Sequence, residues 1–87
     1  MTSVLLALEQ LAESCSDEGI GPVVVNIRVD TAAQVDALYA AMGEPVGGTY
    51  ERPSTDEFGV RRAMTSVHGA TVMIVQSFVA AQRARAA

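Results

Sequence analysis

The sequence predicts an α+β domain: an N-terminal helix followed by one βαβββ module, whose four strands form a mixed, mostly antiparallel sheet. Three observations carry this. Residues 23–29 read Val-Val-Val-Asn-Ile-Arg-Val, a β-rich run that ends in strict alternation. Two other segments, 2–16 and 31–42, repeat apolar residues at three- and four-residue steps, the period of an amphipathic helix. Two further β-rich runs flank His68-Gly69, a pair suited to a tight hairpin turn.

Taken in order, the first helix spans 2–16, with Thr2 or Ser3 as cap and Val4, Leu5, Leu8, Leu11, Ala12 and Cys15 as its stripe. Gly19, Gly21 and Pro22 make the next stretch a turn. The strand at 23–29 places Val25, Ile27 and Val29 on one face and Val24, Asn26 and Arg28 on the other. Asp30 or Thr31 then caps a helix over 31–42, buried through Ala32, Val35, Leu38, Tyr39 and Met42 and ended by Gly43. A short strand is expected over 46–52 and a polar loop over 53–57. The last two strands follow over 58–67 and 70–79, and residues from Ala80 form a tail, helical or frayed. The helix packs on one sheet face, and the other face, with Val24, Val72 and Ile74 as examples, is too apolar to stay wet. The whole is one domain over 1–87, divided into the helix (1–18), the module (22–79) and the tail (80–87).

Composition narrows the function. The 87 residues are 49% hydrophobic, so surplus apolar surface is expected to seek a partner. Six arginines, no lysine and ten acids give a net charge of -4, which argues against nucleic acid as a partner. No apolar run reaches the roughly 18 residues of a membrane span, and the start lacks the basic region of a signal peptide. The single Cys15 suits a reducing, cytoplasmic setting. No metal site or cofactor is expected, because no Cys/His metal spacing occurs.

Few residues offer chemistry. His68, the sole histidine, reads as a turn residue rather than a general base. Cys15 lies on an apolar stripe and packs. The pairs Asp17-Glu18 and Asp56-Glu57 fall in polar stretches and read as solvated. Arg61 and Arg62 are adjacent on a strand and so point to opposite faces. One reaches the concave side to meet an anionic ligand group, or else forms a cross-strand ion pair with Glu51. Asn26 and Arg28, joined by Gln76, are either pocket polar groups among apolar walls or part of a subunit interface. Tyr50 and Phe58 flank the acidic loop and are candidates for a pocket mouth, whereas Tyr39 and Phe78 read as core or interface aromatics.

The order of these pieces resembles the vicinal-oxygen-chelate superfamily, which includes glyoxalases and bleomycin-resistance proteins. The resemblance covers about Val23 to Ser77. It rests on Val-Asn-Ile-Arg-Val-Asp, a helix ending at Gly43, Tyr50-Glu-Arg-Pro, then Phe58-Gly59-Val60-Arg61-Arg62, and the turn Gly69 before an apolar strand. Two departures stand out. The last turn is Ser66-Val67-His68-Gly69, where many members have Asp-Pro-x-Gly. The positions at which metal-dependent members carry ligands fall here on Val24 and Met73, neither of which suits a hard divalent ion. The resemblance therefore implies a metal-free protein, and since the family walls its pocket with two modules, it implies a homodimer with facing sheets. The leading expectation is a non-catalytic binding protein that sequesters a small, partly apolar molecule. The alternatives are a structural or regulatory protein-interaction module and, third, a glyoxalase-like isomerase or lyase.

Overall fold

A computed structural model describes residues 2–19, 21, 23–67 and 69–86. The chain is α+β, with a four-stranded mixed sheet and three helices: α1 (Thr2–Asp17), β1 (Val24–Val29), α2 (Ala32–Met42), β2 (Glu51–Thr55), β3 (Arg61–Val67), β4 (Ala70–Gln76) and α3 (Phe78–Ala86). The strand order is β1-β4-β3-β2. β1 runs parallel to β4, and the other two pairings are antiparallel. Among the described residues, no helix is long and apolar enough to cross a membrane.

One sheet face is covered. Val25, Ile27 and Val29 of β1, Ala63 of β3, and Val72 and Ile74 of β4 pack against Val35, Leu38 and Tyr39 of α2. Leu8 of α1 joins the same core. Thr31 caps α2: its hydroxyl accepts the Gln34 N–H at 3.1 Å, and the Gln34 side chain accepts the Thr31 N–H at 3.0 Å, a reciprocal capping box. At the other end the Gly43 N–H donates to the Tyr39 carbonyl, and the buried Thr65 hydroxyl donates to the Gly43 carbonyl at 2.8 Å. Two backbone groups that a helix end would leave unpaired are thus satisfied inside the protein.

Several expectations are corrected. The strand expected over 58–67 begins at Arg61, because residues 56–59 form a turn closed by the Gly59 N–H on the Asp56 carbonyl. Val72 and Ile74 lie on the helix-covered face and are fully buried; of the three residues named for the opposite face, only Val24 is there. The strand expected over 46–52 begins at Glu51, because Gly47-Gly48 turns the chain, and it runs on through Thr55. Pro53 sits within it at the register shift between Glu51 and Ser54 of an edge strand, a place where a sheet tolerates a residue without an N–H donor. β4 stops at Gln76 rather than at residue 79, and Phe78 and Val79 open α3. Ser77 is the reason: its hydroxyl accepts the Ala80 N–H and its carbonyl accepts the Ala81 N–H, which starts a helix that the following alanines favour.

The α1 stripe is only partly absorbed. Leu8 is buried and Cys15 half-buried, while Leu6 and Leu11 are 52% and 45% exposed. The side chains of Thr2, Ser3, Val4, Leu5 and Ala12 lie outside the described set, as does His68. Gly69 has φ +82°, the left-handed backbone expected where β3 turns into β4.

Candidate functional site

The uncovered face is ordered by the strand register. Val24, Thr71 and Ser66 form a first row across the sheet, and Asn26, Met73, Met64 and Glu51 a second. Arg28, Val75, Arg62 and Ser54 form a third. The face is therefore apolar along its middle, with polar and charged groups towards its edges. Val24 and Met73 both lie on it. Among the described residues, no three His, Cys, Asp or Glu side chains gather to hold a metal ion.

The third row opens into a groove of about 520 Å³. Arg28, Val75 and Arg62 line it from the sheet, Asp56, Phe58 and Val60 from the turn between β2 and β3, and Phe78 and Val79 from the start of α3. By contrast, the depression around Met64 and Met73 holds only about 60 Å³. Of these two depressions, the larger is at the α3 end of the face.

Local bonds fix the groove's walls. The Asp56 carboxylate accepts the N–H groups of Phe58 and Val60 at 2.9 and 3.0 Å, and the Arg62 guanidinium donates to it at 2.6 Å. Partial burial pushes its pKa up, but these three hydrogen bonds outweigh that and hold it below the usual aspartate range. α3 then clamps the same turn. The Gln82 amide donates to the Phe58 carbonyl at 2.9 Å, and the Phe58 and Phe78 rings meet edge to face with centroids 6.4 Å apart. Gly59 has φ +81°, and a Cβ there would stand 2.7 Å from Cδ of Arg85, so a glycine allows both the turn and the close approach of α3.

Of the six residues singled out in the sequence, Arg28, Phe58 and Gln76 reach the groove. Gln76 is nevertheless a buried bracket: its oxygen accepts the Arg61 N–H at 3.1 Å and its amide nitrogen lies 3.5 Å from the Asp30 carbonyl. It belongs to the helix-covered side, not beside Asn26, because strand alternation assigns position 76 to the parity of 72 and 74. Asn26 is exposed one row away. Arg61 faces α2, bound to Asp36 at 2.7 Å and to the Thr55 hydroxyl at 3.0 Å. The arginine on the open face is Arg62, and its carboxylate partner is Asp56 rather than Glu51. Tyr50 lies apart from the groove, near Glu44 and Arg52. The Arg52 guanidinium, bonded to Glu44 at 2.9 Å, holds the Glu44 carboxyl below its ordinary range. Burial, reinforced by the neighbouring Glu44 carboxylate, raises the pKa of Tyr39.

Sequence reading passed over Asp56, Val60, Val75 and Val79 as site residues. Phe78, expected as a core or interface aromatic, is not in the core: it is 57% exposed in the single chain and lines the groove. The available signals were Asp-x-x-Gly before a strand, which suits an Asx turn, and Ser77 ahead of an alanine-rich run. No protein-family model, curated protein or solved structure matches the chain.

Proposed function

We propose that this chain is a metal-free, non-catalytic binding protein of the bleomycin-resistance type. In this reading two copies pair with their open sheet faces towards each other and hold a small, partly apolar molecule between them, in the cytoplasm. The observation that carries it is the asymmetry of the sheet: α1 and α2 cover one face, while the other presents Val24, Met64, Met73 and Val75 beside Asn26, Arg28 and Arg62. Apolar walls with a few convergent polar groups are the usual make-up of a small-molecule site. The βαβββ order supports the family resemblance, and the apolar residues at positions 24 and 73, which depart from the family's metal-ligand pattern, support the metal-free part of the reading.

Native mass spectrometry of the purified protein tests this reading. A metal-free dimer that releases a small molecule on activation is the expected result. A monomer with no adduct would contradict it, and a dimer holding one divalent ion per site would favour the glyoxalase-like enzyme.

A second reading draws on α1. Exposed Leu6 and Leu11 on a helix anchored through Leu8 suit a protein-interaction module. That reading expects α1 truncation to abolish a protein complex while the ligand groove stays intact.

A further inference from the structure

We infer that the groove at the α3 end of the open face takes a small aromatic carboxylate, an anion carried on a flat apolar ring. This rests on the small-molecule reading above and specifies its ligand class.

Charge comes first. Two guanidiniums, Arg28 and Arg62, line the groove against one carboxylate, Asp56. Arg62 is already bonded to Asp56. Arg28 is exposed and, among the described residues, has no ion-pair partner. One positive charge is thus left uncompensated on a chain whose net charge is -4. The strand register puts Arg28 and Arg62 on either side of Val75, two strand spacings or about 10 Å apart at the backbone. An anion above Val75 would meet Arg28 without displacing Asp56 from Arg62. A guanidinium presents a planar fork of donors that matches a carboxylate in two parallel hydrogen bonds.

Shape supplies the second half. Phe58 and Phe78 are 55% and 57% exposed, with rings 6.4 Å apart and inclined at 66°. Val79 beside them is exposed as well. These groups form an apolar corner at the groove's α3 side, suited to an aromatic ring through edge and face contacts. The corner exists only because Ser77 ends β4 and turns Phe78 and Val79 into the first turn of α3. Phe78 and Val79 thus bring to the groove an apolar wall from the C-terminal helix, which faces Phe58 of the β2–β3 turn.

The test is an NMR titration of the ¹⁵N-labelled full chain with 2-naphthoate and with its neutral analogue 2-naphthamide. The acid is expected to shift the amides of Val75, Phe78 and Val79 and to bind at least tenfold more tightly than the amide. Arg28→Gln should weaken the acid at least tenfold and remove its advantage, while Arg28→Lys keeps part of it; both substitutions are at an exposed position, and the unliganded spectrum reports that the fold is intact. Phe78→Ala should weaken acid and amide alike. Equal affinities for acid and amide, an unchanged Arg28→Gln variant, or no shift in the groove would overturn the inference. If a co-purified molecule lacks a carboxylate or shifts Asn26, Met64 and Met73 instead, this inference falls while the binding-protein reading stands. If the protein is a ligand-free monomer that nonetheless takes 2-naphthoate in the groove, the reverse holds.

Discussion

Ile74 and Met73 are chain neighbours on β4 that face opposite sides of the sheet, so truncating each in turn weighs the two faces against each other. Ile74 is fully buried between Ile27 and Ala63 in register and packs in the core with Val35. Ile74→Ala deletes three carbons at about 0.8 kcal/mol each, or about 2.4 kcal/mol, before any cavity cost. A partly collapsed cavity brings the total to about 3–4 kcal/mol, within the range of about 2–5 for such truncations. For a chain of this length total stability is expected near about 4–13 kcal/mol, so this single change removes a large share. Urea denaturation followed by circular dichroism reads it directly. With a slope near 1 kcal/mol per M, the low end for small proteins, the midpoint falls by about 3 M. Met73→Ala in dilute, monomeric protein loses contacts on a half-exposed side only and costs under about half as much, since the transfer term follows the area removed from water. A loss below about 1.5 kcal/mol for Ile74→Ala at unchanged slope, or a Met73→Ala loss equal to it in the monomer, would refute the assignment of faces.

Further outcomes follow from the caps and the groove turn. Thr31→Ala removes the capping box of α2 and should cost about 1 kcal/mol, seen as a fall in Tm of about 4–8 °C for a domain of this size; an unchanged Tm would show that Gln34 alone secures the helix start. Because the folded pKa of Asp56 is lowered, its contribution to stability is fully present above the unfolded value, about 3.9 for an aspartate. It is lost as pH falls through the lower folded value. A carboxyl-carbon NMR titration should place the Asp56 midpoint below 3.9, and Asp56→Asn should flatten that part of the acid limb. A midpoint at or above 3.9 would mean that Arg62 and the two N–H groups do not outweigh burial.

Much of the fold was legible because burial imposes a period. Val25, Ile27 and Val29 alternate with Val24, Asn26 and Arg28, and the structure keeps that division. Thr31 and Gly43 mark α2 because each satisfies backbone groups that the helix ends leave open. The boundaries at 46–52 and 70–79 were not legible, for opposite reasons. β2 is an edge strand with little burial, so Glu-Arg-Pro-Ser-Thr carries no apolar pattern. Phe78 and Val79 are good strand residues by propensity, and the hydroxyl of Ser77 redirects them into a helix. The same limits apply to the site. Strand parity separates Arg61 from Arg62 but cannot say which one faces α2, which depends on Asp36 meeting Arg61 across 25 residues. Asp56 has the composition of a solvated loop residue, and only the folded turn brings Val60 and Arg62 to it.

In the proposed function the open face meets both a second copy of the chain and the ligand. Met64 and Met73 lie on that face, whereas Met42 packs against the core on the other side. Methyl spectra of ε-¹³C-methionine protein, recorded across a dilution series, test the claim with an internal control. The Met64 and Met73 methyl signals should move together as dimer gives way to monomer while Met42 stays still. Movement of Met42 alone, or no movement at any concentration in a protein that remains monomeric, would contradict it.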